Sequence, residues 1–240
     1  MRQPPSATTA ASRASIVSRK TRTTFGAREG GLAFPERVFD NVFFCGFTSE
    51  SSFGAWSYLI RRPATIGGNV LVDSPRFTAP LVKQIEAMGG IRLMYLTHRD
   101  DIADHAKFAA HFKCSRVMHQ AEGAERWRIE RILDGEEPRP IDQDLLSIAT
   151  PGHTRGHQVL LYKNEALLTG DHLAWSPRRS ALIAFRDACW YSWSEQTRSM
   201  ERLLDYRFEW VLPGHGRIHH LPAPEMHAEL LKCVQSMRRA

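Results

Sequence analysis

The sequence predicts an α/β protein, built as an αββα sandwich in a single domain. Three observations support this fold class. After residue 31, short apolar runs alternate with amphipathic stretches, which is the pattern of strands interleaved with helices. Two strand-rich halves are each followed by helical stretches. The chain has 240 residues, 42% of them hydrophobic, which is enough for one full-sized core.

Residues 1–30 differ in composition from the rest of the chain. They hold six basic residues and one acidic residue, and so account for +5 of the net charge of +6. They are rich in Ser, Thr and Ala without apolar periodicity, so we expect a disordered basic tail before a folded domain at residues 31–240. An Arg- and Ser-rich, acid-poor stretch also resembles an organelle transit peptide; a plain basic tail or an over-extended start is the alternative.

The remaining residues are almost neutral, which argues against a nucleic-acid partner. No run of about 18 uninterrupted apolar residues is present, so we expect no membrane span. The four cysteines lie far apart without a Cys-x-x-Cys pair, which argues against a cysteine zinc site and favours a reducing compartment. We therefore expect a cytoplasmic protein that acts on a small molecule, unless the basic tail directs import into an organelle.

The elements of the first half are two antiparallel strands, a buried strand, a helix that ends at a Gly-Gly pair, a strand, a helix entered through acidic residues, and a short strand. They are predicted at residues 41–47, 55–60, 69–73, 79–88, 91–96, 101–112 and 116–119. The second half predicts four strands separated by turn residues, then two helices with a strand between them. These lie at residues 145–150, 158–162, 166–169, 181–185, 194–206, 210–212 and 224–238.

Histidine and aspartate residues stand at the ends of apolar strands, or in the helix entry after one, in five segments. They are His98, His105, His153, Asp171 and His215. Strand ends meet at one edge of a sheet, so these side chains can converge, and a glycine beside each of the last three lets the backbone turn sharply. Imidazole and carboxylate ligands suit zinc, iron or manganese better than magnesium. The alternative is a set of strand-end polar residues that hydrogen-bond to loop backbone.

The order and the residues of these segments resemble the motifs of the metallo-β-lactamase superfamily, which includes glyoxalase II hydrolases, lactonases and RNase Z. In that family a Thr-His-x-His-x-Asp-His segment opens a helix, and Pro-Gly-His-Thr, Thr-Gly-Asp and Gly-His supply further ligands. This chain has the last three motifs at residues 151–154, 169–171 and 214–215, and the likeness covers roughly residues 40–220. The resemblance implies a metallo-β-lactamase sandwich and a hydrolase in which one or two divalent ions activate water, with zinc as the expected metal and iron or manganese as alternatives.

The first motif departs from the family pattern, because residues 97–105 read Thr-His-Arg-Asp-Asp-Ile-Ala-Asp-His. The family's second histidine is missing. In one alignment the Asp-His pair is displaced to Asp104 and His105, Asp100 replaces the missing histidine, and both metal sites survive. In the other alignment, Ile102 and Ala103 take the positions of the pair, and the second metal site loses these ligands. We adopt the first alignment, since the residues from 104 onward run into a helical pattern.

The resemblance then implies a complete ligand assignment. His98, Asp100 and His153 surround one ion, Asp104, His105 and His215 surround the other, and Asp171 bridges them. Asp104 and Asp171 are the catalytic residues in this assignment, with Asp104 orienting the attacking water. Asp73 is implied as a partner of a ligand histidine, although the family's Asp-Thr-Gly reads Asp-Ser-Pro here.

Residues 186–193 lie between the bridging aspartate and the last histidine and are dense in aromatic side chains. Aromatic residues are first of all packing material, but loops at this place in the family shape the substrate entrance. Arg186 and Tyr191 are therefore candidates for substrate contact. His157 and His172 stand beside motif residues, and we interpret them as supporting or surface residues.

The leading hypothesis for function is a metal-dependent hydrolase of a small ester, thioester or lactone, similar to the glyoxalase II branch. Glyoxalase II grips glutathione with an extra C-terminal helical region, whereas only about 25 residues follow His215, which argues against specific glutathione thioester hydrolysis. Because Asp100 replaces a histidine, a mononuclear iron enzyme similar to persulfide dioxygenases is an alternative. A non-catalytic or regulatory domain of the same fold is another, and the near-neutral core disfavours a nuclease.

Overall fold

Two β-sheets face each other at the centre of the structure, a computed structural model that describes residues 34–48 and 54–239. The predicted basic tail at residues 1–30 lies outside the described residues. No helix in the described ranges has the length and apolar character needed to cross a membrane.

The first sheet contains seven strands. They are β1 (Glu36–Phe39), β2 (Val42–Phe47), β3 (Trp56–Ile60), β4 (Val70–Val72), β5 (Leu93–Tyr95), β6 (Ser115–His119) and β7 (Arg131–Leu133). They lie side by side in chain order; β1 to β4 are antiparallel and β4 to β7 are parallel. Helix α1 (Ala79–Ala87) connects β4 to β5, and helix α2 (His105–Phe112) connects β5 to β6.

The second half forms a six-stranded sheet and a separate hairpin. The strands are β8 (Arg139–Pro140), β9 (Leu145–Ala149), β10 (Gln158–Tyr162), β11 (Ala166–Gly170), β12 (Ala174–Ser176), β13 (Ala181–Ile183), β14 (Trp210–Pro213) and β15 (His219–His220). The sheet order is β15-β14-β11-β10-β9-β8, with β11 and β14 parallel, while β12 and β13 form the hairpin. Helices α3 (Trp193–Arg202) and α4 (Ala223–Arg238) complete this half.

Each sheet packs helices on one face and the other sheet on its opposite face. In β3, Leu59 points to one face and lies in the core shared with α1 and α2. The adjacent Tyr58 points to the opposite face, and its hydroxyl donates to Pro213 O of β14 at 2.7 Å. Tyr95 of β5 likewise reaches Ser147 of β9, with 2.6 Å between the hydroxyl oxygens. This alternation is the period of two expected for strands covered on both faces. The predicted αββα sandwich is confirmed.

The structure differs from the predicted elements mainly at their ends. The helix predicted from residue 101 begins at His105, because residues 96–104 form the loop that follows β5. The strands β1, β7, β8, β12 and β15 have two to four residues each and were not predicted. Each of these strands pairs with a neighbouring strand in the chain, but each is too short to show an apolar periodicity of its own.

Candidate metal centre

Four loops that follow strands meet at one edge of the two sheets. They come after β5, β9, β11 and β14, and they supply His98, His153, Asp171 and His215. Backbone hydrogen bonds join the loops: Gly214 N donates to Gly170 O at 2.7 Å, and Gln158 N donates to Thr97 O at 3.0 Å. Four of the five strand-end residues singled out in the sequence therefore converge.

The first group of ligand atoms comprises His98, His153 and Asp171, with Asp100 on its open side. Asp171 Oδ2 lies 3.7 Å from the Nε2 atom of each histidine. Asp100 Oδ2 lies 3.5 Å from His153 Nε2 and 3.9 Å from His98 Nε2. Ligands about 2.1 Å from a tetrahedral ion stand about 3.4 Å apart, so these atoms fit a metal ion after small movements. The Asp100 side chain is 40% exposed, which leaves the group open to solvent there.

Thr97 and Asp73 fix the orientation of His98. The Thr97 hydroxyl donates to the Asp73 carboxylate at 3.0 Å and lies 2.9 Å from His98 Nδ1. This contact holds the Nδ1 side of the imidazole ring. The buried Nε2 atom of His98 faces the first group, and it forms no hydrogen bond within the described residues. Asp73, implied by the resemblance as a direct partner of a histidine, acts here through Thr97.

The second group comprises Asp101, Asp171 and His215. Asp171 belongs to both groups, because its Oδ1 atom lies 2.7 Å from His215 Nδ1 while Oδ2 faces the first group. Asp101 is fully buried, and its Oδ2 lies 3.9 Å from His98 Nε2. Gly214 makes this arrangement possible: a Cβ atom there would lie 2.6 Å from Asp171 Oδ1 and 3.2 Å from Asp101 Oδ2. Any side chain at position 214 would therefore displace the carboxylates.

The protonation states of the two groups suit metal binding. Burial raises the pKa of the Asp171 carboxyl, but the hydrogen bond with His215 and the charges of His98 and His153 outweigh burial, and the net pKa is lowered. The contact with His153 lowers the pKa of Asp100. Burial lowers the pKa of His98, against the opposing effect of the Asp171 carboxylate, and so favours the neutral imidazole. Ionised carboxylates and neutral imidazoles are the forms that bind metal ions.

Asp104 and His105, predicted as ligands of the second ion, belong to neither group of ligand atoms, and the structure differs from the predicted ligand set at these two positions. The Asp104 carboxylate lies 2.7 Å from Lys107 Nζ and accepts a hydrogen bond from Phe77 N at 2.8 Å. His105 Nδ1 lies 3.0 Å from Arg116 Nη1. The physical reason is that residue 105 begins α2, whose inner side faces the hydrophobic core of the first half.

Two further histidines, His157 and His172, are fully buried beside the first group. The His157 ring centroid lies 5.1 Å from that of His98 and 5.3 Å from that of His172, and its Nδ1 lies 2.9 Å from Thr150 Oγ1. Burial lowers the pKa of His157 well below its usual value and that of His172 to about 3. Gly170 leaves room for this packing, since a Cβ atom there would lie 2.9 Å from His157 Nε2. Both are therefore buried rather than surface residues, and their supporting role stays a prediction.

Arg186 and Tyr191 lie on the segment that covers His153. The backbone N–H of Tyr191 donates to His153 O at 3.1 Å, and that of Trp190 donates to the same oxygen at 2.9 Å. The Tyr191 side chain is 49% exposed. The Arg186 guanidinium lies 5.4 Å from the ring centroid of Trp193. Tyr191 thus lies beside His153, whereas Arg186 is exposed and contacts Trp193; substrate contact by either residue stays a prediction.

Solved structures resemble this chain over most of its length. A metallo-β-lactamase from Erythrobacter litoralis has a TM-score of 0.63 at 9% identity, covering 85% of this chain and 92% of that chain. ETHE1 from Myxococcus xanthus has a TM-score of 0.55 at 19% identity, covering 80% and 84%. The structure of TTHA1623 in a di-iron-bound form has a TM-score of 0.55 at 19% identity, covering 72% and 92%. The chain has the metallo-β-lactamase fold.

Curated relatives with the metallo-β-lactamase fold match a shorter part of the chain. The hydroxyacylglutathione hydrolase of Acidiphilium cryptum is 32% identical over 111 residues, 45% of this chain and 45% of that protein. The Salmonella typhi enzyme of the same name is 29% identical over 109 residues, 44% and 43% respectively. The chain therefore spans less than half the length of these relatives. No protein-family model matches it.

In this metallo-β-lactamase fold, the placement of the first motif favours the alternative alignment, in which Ile102 and Ala103 take the positions of the Asp-His pair. Ile102 is buried and packs in the core of the first half. Asp101, the residue before it, brings a carboxylate to the second group instead. The sequence contained one signal for this, the two consecutive aspartates after Thr-His, but sequence reasoning assigned a role to Asp100 alone.

Proposed function

We propose that this protein is a metal-dependent hydrolase of esters, thioesters or lactones. The observation that carries the proposal is the convergence of His98, His153, Asp171 and Asp100, with distances of 3.5–3.9 Å between imidazole nitrogens and carboxylate oxygens. Their spacing supports a bound ion, and the buried Nε2 atom of His98 faces the group without a hydrogen bond among the described residues. The partial relatives named hydroxyacylglutathione hydrolase support a hydrolytic reaction.

The residues of the centre have two proposed roles, which are to bind metal ions and to orient the attacking water. His98, Asp100 and His153 would hold a first ion, Asp101 and His215 a second, and Asp171 both. A divalent ion at such a site lowers the pKa of bound water to about 7 and polarises a substrate carbonyl. Asp100 stands on the solvent side with a lowered pKa, so its carboxylate is ionised at neutral pH and accepts a hydrogen bond from an entering water. Asp100 thus takes the orienting role first assigned to Asp104.

A mononuclear iron enzyme is the second candidate, of the persulfide dioxygenase kind. Two histidines and one carboxylate, as in His98, His153 and Asp171, are the ligand set of non-haem iron oxygenases. The replacement of the Asp-His pair by Ile102 and Ala103 favours this candidate, because it weakens the second group.

The experiment measures metal content and activity on the purified full-length protein. Expression in medium supplied with zinc, iron and manganese should give a bound transition metal and hydrolysis of a panel of thioesters, esters and lactones. Asp171→Ala should lose most of the metal and all turnover while circular dichroism stays unchanged, whereas the exposed control Asp205→Ala should behave like the parent. Absence of bound metal would overturn both enzyme candidates. Oxygen consumption with glutathione persulfide, without hydrolysis, would select the iron enzyme.

A further inference from the structure

A groove of about 770 Å³ runs alongside the metal centre between the β12–β13 hairpin, the segment 184–190 and the end of α4. Its floor is apolar, with Leu182, Phe185, Trp193 and Met237 among the lining residues. This volume matches a site for a ligand of many non-hydrogen atoms, and exceeds what a small acyl group needs.

Two lining residues connect the groove to the metal centre. The Trp190 ring centroid lies 6.4 Å from that of His153, and the Trp190 side chain is 62% exposed. Phe185 lies against Gly216, the residue after His215: a Cβ atom on Gly216 would be 3.5 Å from Phe185 Cζ. The groove therefore borders the backbone of one histidine in each group of ligand atoms.

The charge of the groove is strongly positive. Arg178 and Arg179 stand on the tip of the β12–β13 hairpin, Arg186 stands in the following turn, and Asp187 is the single acidic lining residue. All three arginines are exposed. Within residues 34–48 and 54–239 none of them forms an ion pair with a carboxylate; Arg186 instead stacks over Trp193. Guanidinium groups above an apolar floor fit a ligand with an anionic group on a partly apolar arm.

We infer that the substrate of this centre is an acyl thioester or ester whose non-reacting arm carries phosphate or carboxylate groups. This inference rests on the proposed hydrolase function. The scissile carbonyl lies at the metal centre, the arm passes Trp190 into the groove, and Arg178, Arg179 and Arg186 bind its anionic groups. Small neutral lactones lack such an arm and are poor substrates.

The experiment compares substrates that share the reacting acyl thioester and differ in whether the arm carries anionic groups. One pair is an acetyl thioester of coenzyme A and the same thioester of pantetheine, which lacks the nucleotide phosphates. The other is S-acetylglutathione and its diethyl ester, which lacks the free carboxylates. The full-length parent should have a kcat/KM about 100-fold higher for the anionic member of at least one pair, and the pair that shows it distinguishes phosphate from carboxylate.

Variants then locate the contact. Arg179→Gln and Arg186→Gln should each lower kcat/KM for the preferred anionic substrate about tenfold and leave the neutral partner unchanged. Arg61→Gln and Arg92→Gln, exposed arginines outside the groove, are the matched controls and should change neither value. Equal rates on charged and neutral members, or an equal loss for both in the groove variants, would overturn the inference while leaving the hydrolase proposal standing.

A direct binding measurement separates the two proposals. If the parent binds metal but hydrolyses neither these pairs nor any member of the ester, thioester and lactone panel, the hydrolase proposal fails, and calorimetric titration with coenzyme A and glutathione tests the groove alone. Binding that Arg186→Gln weakens about tenfold supports an anion-binding groove. No binding of either thiol overturns it.

Discussion

His105 is a buried structural residue of α2, and its replacement should change how stability depends on pH without changing metal binding. Burial, followed by the charge of Arg116, lowers the pKa of His105 to about 4. The usual pKa of histidine is about 6.5, so between pH 6.5 and 4 the unfolded chain takes up a proton that the folded protein excludes. Stability that is fully present above pH 6.5 is therefore lost as the pH falls through this window.

The size of the effect follows from the two pKa values. A shift of about 2.5 units corresponds to about 3 kcal/mol over the whole window, and to about 2 kcal/mol between pH 7.5 and 5.0. Glu130, which pairs with Arg116, is 45% exposed, so solvent screening reduces the contribution. We expect about 1 to 2 kcal/mol over this interval.

The assay is urea unfolding of the metal-free, full-length protein at pH 7.5 and 5.0, followed by circular dichroism. His105→Gln keeps an acceptor for Arg116 but does not titrate. Between pH 7.5 and 5.0, the free energy of unfolding of this variant should therefore fall by about 1 to 2 kcal/mol less than that of the parent. His111→Gln, on the exposed side of the same helix, should retain the parent's pH dependence. Loss of metal from His105→Gln, or a pH dependence equal to the parent's, would refute the structural role.

Three shorter predictions concern the centre itself. Asp101→Asn should abolish binding of a second metal equivalent and spare the first, as measured by calorimetric titration of the metal-free protein. Asp100→Ala should weaken one ion selectively, and Asp100→His should raise the preference for zinc over iron in a competition assay. Gly170→Ala would bring a Cβ atom within 2.6 Å of Thr97 Oγ1 and 2.9 Å of His157 Nε2, so thermal unfolding should show a loss of about 2 kcal/mol or more.

Local patterns in the sequence were enough to predict the central strands. The predicted strands at 158–162 and 166–169 correspond to β10 and β11 (Gln158–Tyr162 and Ala166–Gly170). Apolar runs covered on both faces give a strong signal. Lys163 and Asn164 between them have positive φ angles, as a tight hairpin turn requires. Here the chemistry of neighbouring residues decides the structure.

The first motif could not be resolved in the same way, because contacts distant in sequence decide it. Residues 100–105 contain three aspartates and a histidine, and each is chemically able to bind a metal ion. His105 is drawn into the core by Arg116 and by Trp127, whose ring centroid lies 5.9 Å away. Once α2 begins there, the loop before it turns Asp101 towards His215. No pattern within the motif reports the position of Arg116 or Trp127.

The two groups of ligand atoms differ in how firmly the protein holds them. In the first group, His98 is fixed through Thr97 and Asp73, and both of its histidines are buried. In the second, the His215 side chain is 29% exposed, and Asp101 supplies one carboxylate where the family pattern has an Asp-His pair. Ligands that are already oriented lose less conformational freedom on binding, so we expect the first group to bind an ion more tightly than the second. We therefore expect the carboxylate of Asp101 to determine whether a second ion binds beside the first.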